Sequence, residues 1–195
     1  YQNVARLNST NLTALSRLGA IFYSKGDLSK AYFFTTNAVG VAPADLDLRT
    51  RLGMIFLVGQ DVPKAREQAV YVLTRSATNE AAVLLLADSS RAPADVAKAL
   101  ELLAGPPTNL INKAIYHAAL GKLHMQQTNL ARAEAAFKQA QVLDPRTTMA
   151  AIGLGGVYWQ QGRLDEAGQQ FEAAARIAPA QSTERLKWVE FKRMT

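Results

Sequence analysis

Apolar residues at helical spacing alternate with short polar breaks along this chain, and residues 18–31 show the pattern clearly. Leu18 and Phe22 lie on one apolar stripe, the polar residues 25–27 interrupt it, and a second stripe begins at Leu28. The segment therefore predicts two short helices joined by a turn. A hairpin of this size cannot bury both of its apolar faces, so neighbouring segments must cover it.

The same hairpin pattern recurs every 34 residues. A leucine followed by a glycine or alanine occurs in phase at Leu18-Gly19, Leu52-Gly53, Leu86-Ala87, Leu120-Gly121 and Leu154-Gly155. Two further series keep the same period: the alanines Ala31, Ala65, Ala99, Ala133 and Ala167, and the aliphatic residues Leu28, Val62, Val96, Leu130 and Leu164. Three columns that hold one period without an insertion predict an array of stacked helical hairpins.

These columns resemble the tetratricopeptide repeat (TPR) family, whose unit is a 34-residue helix-turn-helix. The family has a small residue at position 8 of each unit and alanine at position 20, and this chain has both in all five units. Small side chains at these positions predict that the two helices of a unit cross closely. Aromatic residues at position 24 are present as Phe137 and Phe171. Three units have the family's proline at position 32, as Pro43, Pro145 and Pro179, and we expect it to end the second helix because the residue before a proline avoids the helical region. The resemblance implies an all-α fold, a right-handed α-solenoid of helix-turn-helix units.

The resemblance divides the chain into numbered repeats. They are repeat 1 (residues 12–45), repeat 2 (46–79), the irregular repeat 3 (80–113), repeat 4 (114–147) and repeat 5 (148–181). Residues 1–11 fit the end of a preceding repeat, and residues 182–195 fit the first helix of a sixth repeat or a capping helix. We therefore expect the parent protein to continue with helical repeats on both sides.

Residue types near the turns predict local structure. Glycine after a first helix suits a left-handed cap, which we expect at Gly26, Gly59 and Gly162. Side-chain oxygens that can cap second helices are expected from Asp27, Asp61, Asp95 and Asn129. In repeat 3, the segment Gly105-Pro106-Pro107 should stop the second helix near Ala104, and the next helix should begin just after Asn109.

Composition and charge argue against several classes of function. The net charge is +6, but the 22 basic residues are scattered, which predicts no nucleic-acid partner. No apolar run reaches the length of a membrane span, and the chain has no cysteine. His117 and His124 are seven residues apart, about 10 Å along a helix, which is too far to share a metal ion. The spacing of the side chains indicates no pair of nucleophile and base, so we expect no enzyme, no cofactor and no metal site.

The resemblance implies that function lies in a concave groove lined by the first helices. Residues at groove positions are Tyr23, Met54, Leu57, Lys122, Met125, Ile152 and Trp159. Some TPR proteins clamp a partner's C-terminal carboxylates with basic residues and asparagine, but the corresponding positions here hold Ser16, Ala20, Thr50, Met54 and Ala118. Methionines adapt to varied partners, and an exposed tryptophan at position 159 would be a binding hot spot. Alternatively, these residues pack against further repeats or a helix of the same chain.

Two function classes remain open from the sequence. The first is a protein-interaction scaffold that binds a peptide or helix in the groove, as in a bacterial envelope or export assembly. The second is a regulatory or substrate-docking segment of a larger enzyme such as a transferase. We also expect self-association through Trp188 and Phe191, because the last helix is apolar around much of its circumference. The compartment is not indicated.

Overall fold

The computed structural model describes residues 1, 3, 9–105, 108–179 and 182–195, and in this part of the chain it contains helices and no strand. The helices are α1 (Leu12–Ser24), α2 (Leu28–Val41), α3 (Leu46–Val58), α4 (Val62–Leu73), α5 (Glu80–Ser89), α6 (Pro93–Leu102), α7 (Thr108–Ile111), α8 (Ala114–Gln126), α9 (Leu130–Leu143), α10 (Thr148–Gln160), α11 (Leu164–Ile177) and α12 (Thr183–Met194). The predicted end of a preceding repeat, residues 1–11, lies largely outside the described residues. Among the helices described, none is long and apolar enough to cross a membrane.

The chain forms two compact units, Tyr1–Ser89 (unit 1) and Ser90–Thr195 (unit 2). In unit 1, α1 to α5 each pack against the next helix, and the first helices of neighbouring repeats also contact each other. In unit 2, α8 to α12 pack in the same way, and α6 contacts α8 directly. The hairpins of repeats 1, 2, 4 and 5 are therefore covered by neighbouring helices of the same unit, whereas the two helices of repeat 3, α5 and α6, belong to different units.

Glycines at position 8 allow the two helices of a repeat to approach closely. A Cβ atom built on Gly121 would lie 2.7 Å from the ring of Phe137, and one built on Gly155 would lie 2.7 Å from the ring of Phe171. In repeat 1, the corresponding Gly19 lies against the side chain of Thr35, which is fully buried. In repeats 1, 4 and 5, position 24 thus fills the space that the glycine of the same repeat leaves open, whereas in repeat 2 the space at Gly53 is filled by Leu85 of the next repeat.

A left-handed backbone occurs at the same turn position, position 15, in four repeats. The residues are Gly26 (φ 76°), Gln60 (φ 65°), Thr128 (φ 57°) and Gly162 (φ 75°). The prediction for Gly59 was wrong, because its φ is −74° and the following residue takes the left-handed conformation instead. The repeats share one turn geometry, which requires the left-handed conformation at position 15. Gly59 is at position 14, one residue before the place where a glycine would be needed.

Three predicted caps form, and the fourth does not. The side chains of Asp27, Asp61 and Asn129 accept hydrogen bonds from the backbone N–H groups three residues later. Helix α6 begins earlier than expected, at Pro93, so Asp95 lies within its first turn. Proline suits this first helical position because it has no N–H to satisfy there.

Repeat 3 also ends differently from the prediction. Instead of one helix beginning just after Asn109, a single helical turn (α7) is followed by an extended residue, Lys113, and α8 begins at Ala114. Leu110 is 1% exposed and anchors the short turn in the core. The hydroxyl of Tyr116 donates a hydrogen bond to the carbonyl of Leu103 at 2.8 Å, which holds α6 against α8.

The last helix, α12, buries Phe191 rather than exposing it. The ring of Phe191 lies 5.3 Å from Phe171, 5.5 Å from Trp159 and 6.1 Å from Trp188, measured between centroids, and the residue is 5% exposed. Trp188 is half-buried. Phe191 therefore packs inside unit 2, and the exposed apolar residues of α12 are Leu186, Val189 and Met194.

Candidate functional site

Four of the predicted groove residues lie on two neighbouring first helices of unit 2, and we call them the unit 2 strip: Lys122, Met125, Ile152 and Trp159. Helix α8 carries Lys122 and Met125 one turn apart, and α10 carries Ile152 and Trp159 two turns apart, so each pair shares a helix face. All four side chains are half-buried. The strip is therefore a surface that is partly packed and partly accessible to a partner.

The two helices of the strip meet at a methionine and a glycine. A Cβ atom on Gly156 would lie 3.3 Å from the terminal methyl group of Met125. Because position 156 has no side chain, the thioether of Met125 can reach across onto α10. Methionine has three rotatable bonds and a polarisable sulfur, so this part of the surface can adjust its shape to a partner.

Trp159 is half-buried, although its groove position in the sequence predicted an exposed ring. Its indole ring packs edge-to-face against Phe171 at 6.1 Å and against Phe191 at 5.5 Å, with interplanar angles of 84° and 88°. The second contact comes from α12, whose packing the repeat pattern alone does not fix. These contacts hold the indole in one orientation, which reduces the conformational entropy lost when a partner binds.

The remaining predicted groove residues form a second surface in unit 1, the unit 1 strip: Tyr23 on α1 with Met54 and Leu57 on α3. All three are half-buried, and Met54 and Leu57 share a face of α3. Two further groove positions are not available to a partner, because Thr50 is 6% exposed and Ala118 is fully buried. The hydroxyl of Thr50 instead donates to the carbonyl of Leu46 at 2.7 Å.

A cluster of charges connects repeats 4 and 5, and sequence reasoning missed it. The side chain of Glu134 is only 17% exposed and pairs with Lys138 at 2.7 Å and with Arg163 at 3.1 Å. Arg163 also pairs with Glu166 and lies over the ring of Tyr158. These bonds, first of all the one from Lys138, lower the pKa of Glu134. The cluster strengthens the contact between the two repeats.

The two histidines are packing residues with different surroundings. His117 places its Nε2 atom 2.8 Å from the carbonyl oxygen of Ile111. Burial lowers the pKa of His124, the nearby charge of Arg132 lowers it further, and a hydrogen bond with Gln127 opposes the shift. Within the described ranges, no three His, Asp or Glu side chains converge in an arrangement that could hold a metal ion.

Comparison with known proteins places this arrangement in context. A tetratricopeptide repeat family model matches residues 118–182, which contain most of repeats 4 and 5. The chain is 28% identical over 177 residues to the BBSome complex member BBS4 of Bos taurus, covering 91% of this chain and 34% of that protein. It is 35% identical over 96 residues to the cellulose synthase operon protein C of Xanthomonas axonopodis pv. citri (strain 306), covering 49% of this chain and 6% of that protein. The chain thus spans a small part of the length of either relative.

Solved structures show the same fold. A thermophilic TPR protein of Thermus thermophilus superimposes with a TM-score of 0.80 at 23% identity, covering 93% of this chain and 99% of that one. The TPR protein YrrB, described as having an unusual peptide-binding site, superimposes with a TM-score of 0.58 at 15% identity, covering 98% and 97% of the two chains.

Four findings agree on the fold. They are the helical hairpins with a 34-residue period, the close helix crossings at glycines, the family model that matches residues 118–182, and the solved structures with the same fold. The fold is an all-α solenoid, and such repeats generally act as scaffolds for contacts between proteins. Residues 118–182 match the tetratricopeptide repeat family, and the fold of the chain is that of tetratricopeptide repeat proteins.

Proposed function

We propose that this chain recruits a partner protein by binding a peptide or a helix on the exposed faces of its first helices. The observation that carries the proposal is that all seven predicted groove residues are half-buried. Each therefore has a fixed position and still offers part of its side chain to a partner. An array of this kind acts as a scaffold and needs no catalytic group.

The chemistry of the two strips favours an apolar segment as the ligand. Six of the seven residues are aliphatic, aromatic or methionine, and Lys122 is the charged member. Apolar side chains of a partner would contact Met125, Ile152 and Trp159, whose rigid indole is the kind of residue that dominates binding energy at interfaces. We expect the unit 2 strip to contribute more than the unit 1 strip, because it has the tryptophan.

The test is a peptide library selected for binding to the full chain and measured again with two matched variants. Ile152→Glu places a charge in the unit 2 strip. Val142→Glu makes the same kind of change on the second helix α9, where the side chain is 74% exposed. We expect the selected peptides to bind Ile152→Glu at least about tenfold more weakly and to bind Val142→Glu as they bind the wild type.

Folding of the variants is checked by far-ultraviolet circular dichroism, and Met125→Ala provides a second change that adds no charge. Equal affinity of the peptides for the wild type, Ile152→Glu and Met125→Ala would place the binding site elsewhere on the chain and refute the proposal.

A further inference from the structure

Two arginines of repeat 2 lie over the ring of one tyrosine. The guanidinium carbon of Arg49, on α3, is 4.3 Å from the ring centre of Tyr71, on α4, and the guanidinium carbon of Arg75, just after α4 ends, is 3.6 Å from it. The two guanidinium carbons are therefore separated by no more than the sum of these distances, 7.9 Å. We call these three residues of unit 1 the arginine cluster.

The packing of the repeats does not account for the arginine cluster. Its members are at positions 4, 26 and 30 of repeat 2, and no other repeat has an arginine at position 4 or 30 or an aromatic residue at position 26. Neighbouring helices are present on both sides, because α2 packs against α3 and α5 packs against α4. The cluster therefore lies inside the array, and its exposure does not depend on how the chain continues at either end.

Hydrogen bonds hold both arginines in place and leave some of their N–H groups available. Arg49 is half-buried, and its Nε and Nη1 atoms donate to the carbonyl of Pro43 at 2.9 Å and to the side-chain oxygen of the buried Gln68 at 3.2 Å. Arg75 is exposed, and its Nη1 atom donates to the carbonyl of Tyr71 at 3.1 Å. Among the hydrogen bonds of the described residues, none engages the Nη2 atom of Arg49 or the Nε–Nη2 edge of Arg75. Such an edge matches the two oxygens of a carboxylate or phosphoryl group.

The two positive charges of the cluster are not paired with carboxylates. Neither arginine forms a salt bridge in the described part of the chain, whereas Arg163 and Arg176 of unit 2 pair with glutamates. Asp45 uses its Oδ1 atom to cap α3, and Asp47 is two residues from Arg49, which places their side chains on different faces of the helix. Two guanidiniums this close repel each other, so a bound oxyanion would remove an unfavourable interaction.

We propose that the arginine cluster binds one oxyanion of a partner peptide, either the carboxylate of an acidic residue or the phosphoryl group of a phosphorylated residue. Arg75 supplies the bidentate edge, and Arg49 adds its Nη2 group from a fixed position. The ring of Tyr71 orders both guanidiniums, which lowers the entropy lost on binding. A nucleic acid or a membrane surface fits less well, because Asp45 and Asp47 at the start of α3 would repel an extended polyanion.

Binding is measured by nuclear magnetic resonance of the full chain, through the Nε–Hε signals of its arginines. The probes are phosphoserine, glutamate and glutamine, each with an acetylated amino group and a methylamide at the carboxyl end. We expect the first two to shift the signals of Arg49 and Arg75 saturably, and the uncharged glutamine probe to bind at least about tenfold more weakly. Phosphoserine binding more than about fivefold tighter than glutamate would identify a phosphorylated ligand, and a smaller ratio would identify an acidic side chain.

Two changes of one exposed residue and a matched control test the site. Arg75→Gln removes the charge, Arg75→Lys keeps the charge but removes the planar edge, and Arg17→Gln removes the charge of an exposed arginine on α1. We expect Arg75→Gln to weaken binding of the tighter charged probe at least about fivefold and Arg75→Lys at least about threefold, whereas Arg17→Gln leaves it unchanged. Equal urea midpoints for the three variants would show that folding is unaffected.

Three outcomes would overturn the proposal. The first is equal affinity for the glutamate and glutamine probes, and the second is equal weakening by Arg75→Gln and Arg17→Gln. The third is a single-stranded DNA oligonucleotide that binds more tightly than either charged probe and loses its binding in Arg75→Gln, which would assign the cluster to nucleic acid. Peptides selected on the unit 2 strip should bind Arg75→Gln as they bind the wild type, so failure of either proposal leaves the other standing.

Discussion

Two adjacent glycines in α10 provide a sharp test of how the helices of a repeat pack. Gly155 and Gly156 are neighbours in one helix, and replacing either with alanine removes the same entropic penalty, about 1 kcal/mol. A Cβ atom at position 155 would lie 2.7 Å from the ring of Phe171, which is 2% exposed and is confined by Trp159 and Phe191. A Cβ atom at position 156 would meet only the flexible end of Met125, at 3.3 Å.

We therefore expect opposite signs for the two substitutions. Overpacking at position 155 costs about 1–3 kcal/mol, so Gly155→Ala should lower the free energy of unfolding by up to about 2 kcal/mol after the gain in helix propensity. Gly156→Ala should raise it by up to about 1 kcal/mol, because the methyl group of Met125 can move aside.

The assay is urea unfolding followed by tryptophan fluorescence, since Trp159 and Trp188 both report on unit 2. The midpoints should differ between the variants, and the slope of the free energy against urea should stay constant. Equal shifts in the same direction would mean that Phe171 does not confine position 155, and the packing argument would fail.

Other parts of the fold give further predictions. Thr128→Gly should stabilise the chain by up to about 1 kcal/mol in thermal unfolding, because it removes a β-branched residue from a backbone with positive φ. Gly162→Ala should destabilise the chain by about 1 kcal/mol, because the backbone there also has positive φ, although a methyl group would have open space around it. Because the pKa of His124 is lowered in the folded state, the unfolded chain takes up this proton first on acidification. Stability should therefore be full at neutral pH and fall as the pH drops below about 6.5, less so in His124→Gln, as measured by urea midpoints at several pH values. Glu134→Gln should cost about 0.5–1 kcal/mol because it weakens the pairs with Lys138 and Arg163, and the loss should shrink in high salt.

The sequence was sufficient to predict the features that the 34-residue period controls. The column of small residues at position 8 predicted close helix crossings, and Gly121 and Gly155 make them with the aromatic residues of their own repeats. Helix ends before prolines also followed from local chemistry, as at Pro145 and Pro179. These features depend on residues within one hairpin, where spacing in the chain determines spacing in the fold.

Features that depend on contacts between different helices or repeats could not be predicted from the sequence. Nothing in the sequence around Trp159 shows that Phe191 of α12 packs against it, because that contact depends on how the last helix docks. The left-handed backbone at Gln60 was not predicted. The prediction followed residue type and chose the neighbouring Gly59, whereas the position within the turn determines which residue takes this conformation. The pair between Glu134 and Arg163 joins residues in different repeats, and only the stacking of those repeats brings them together.

The ring of Phe137 has a consequence for folding cooperativity. It packs against Gly121 of its own repeat, and a Cβ atom on Gly153 of the next repeat would overlap it as well. This one side chain packs both inside repeat 4 and at the interface between repeats 4 and 5. Loss of its contacts would therefore weaken repeat 4 and its coupling to repeat 5 together. Hydrogen exchange in α8, α9 and α10 should therefore proceed by opening all three helices in a single event, with similar protection in each.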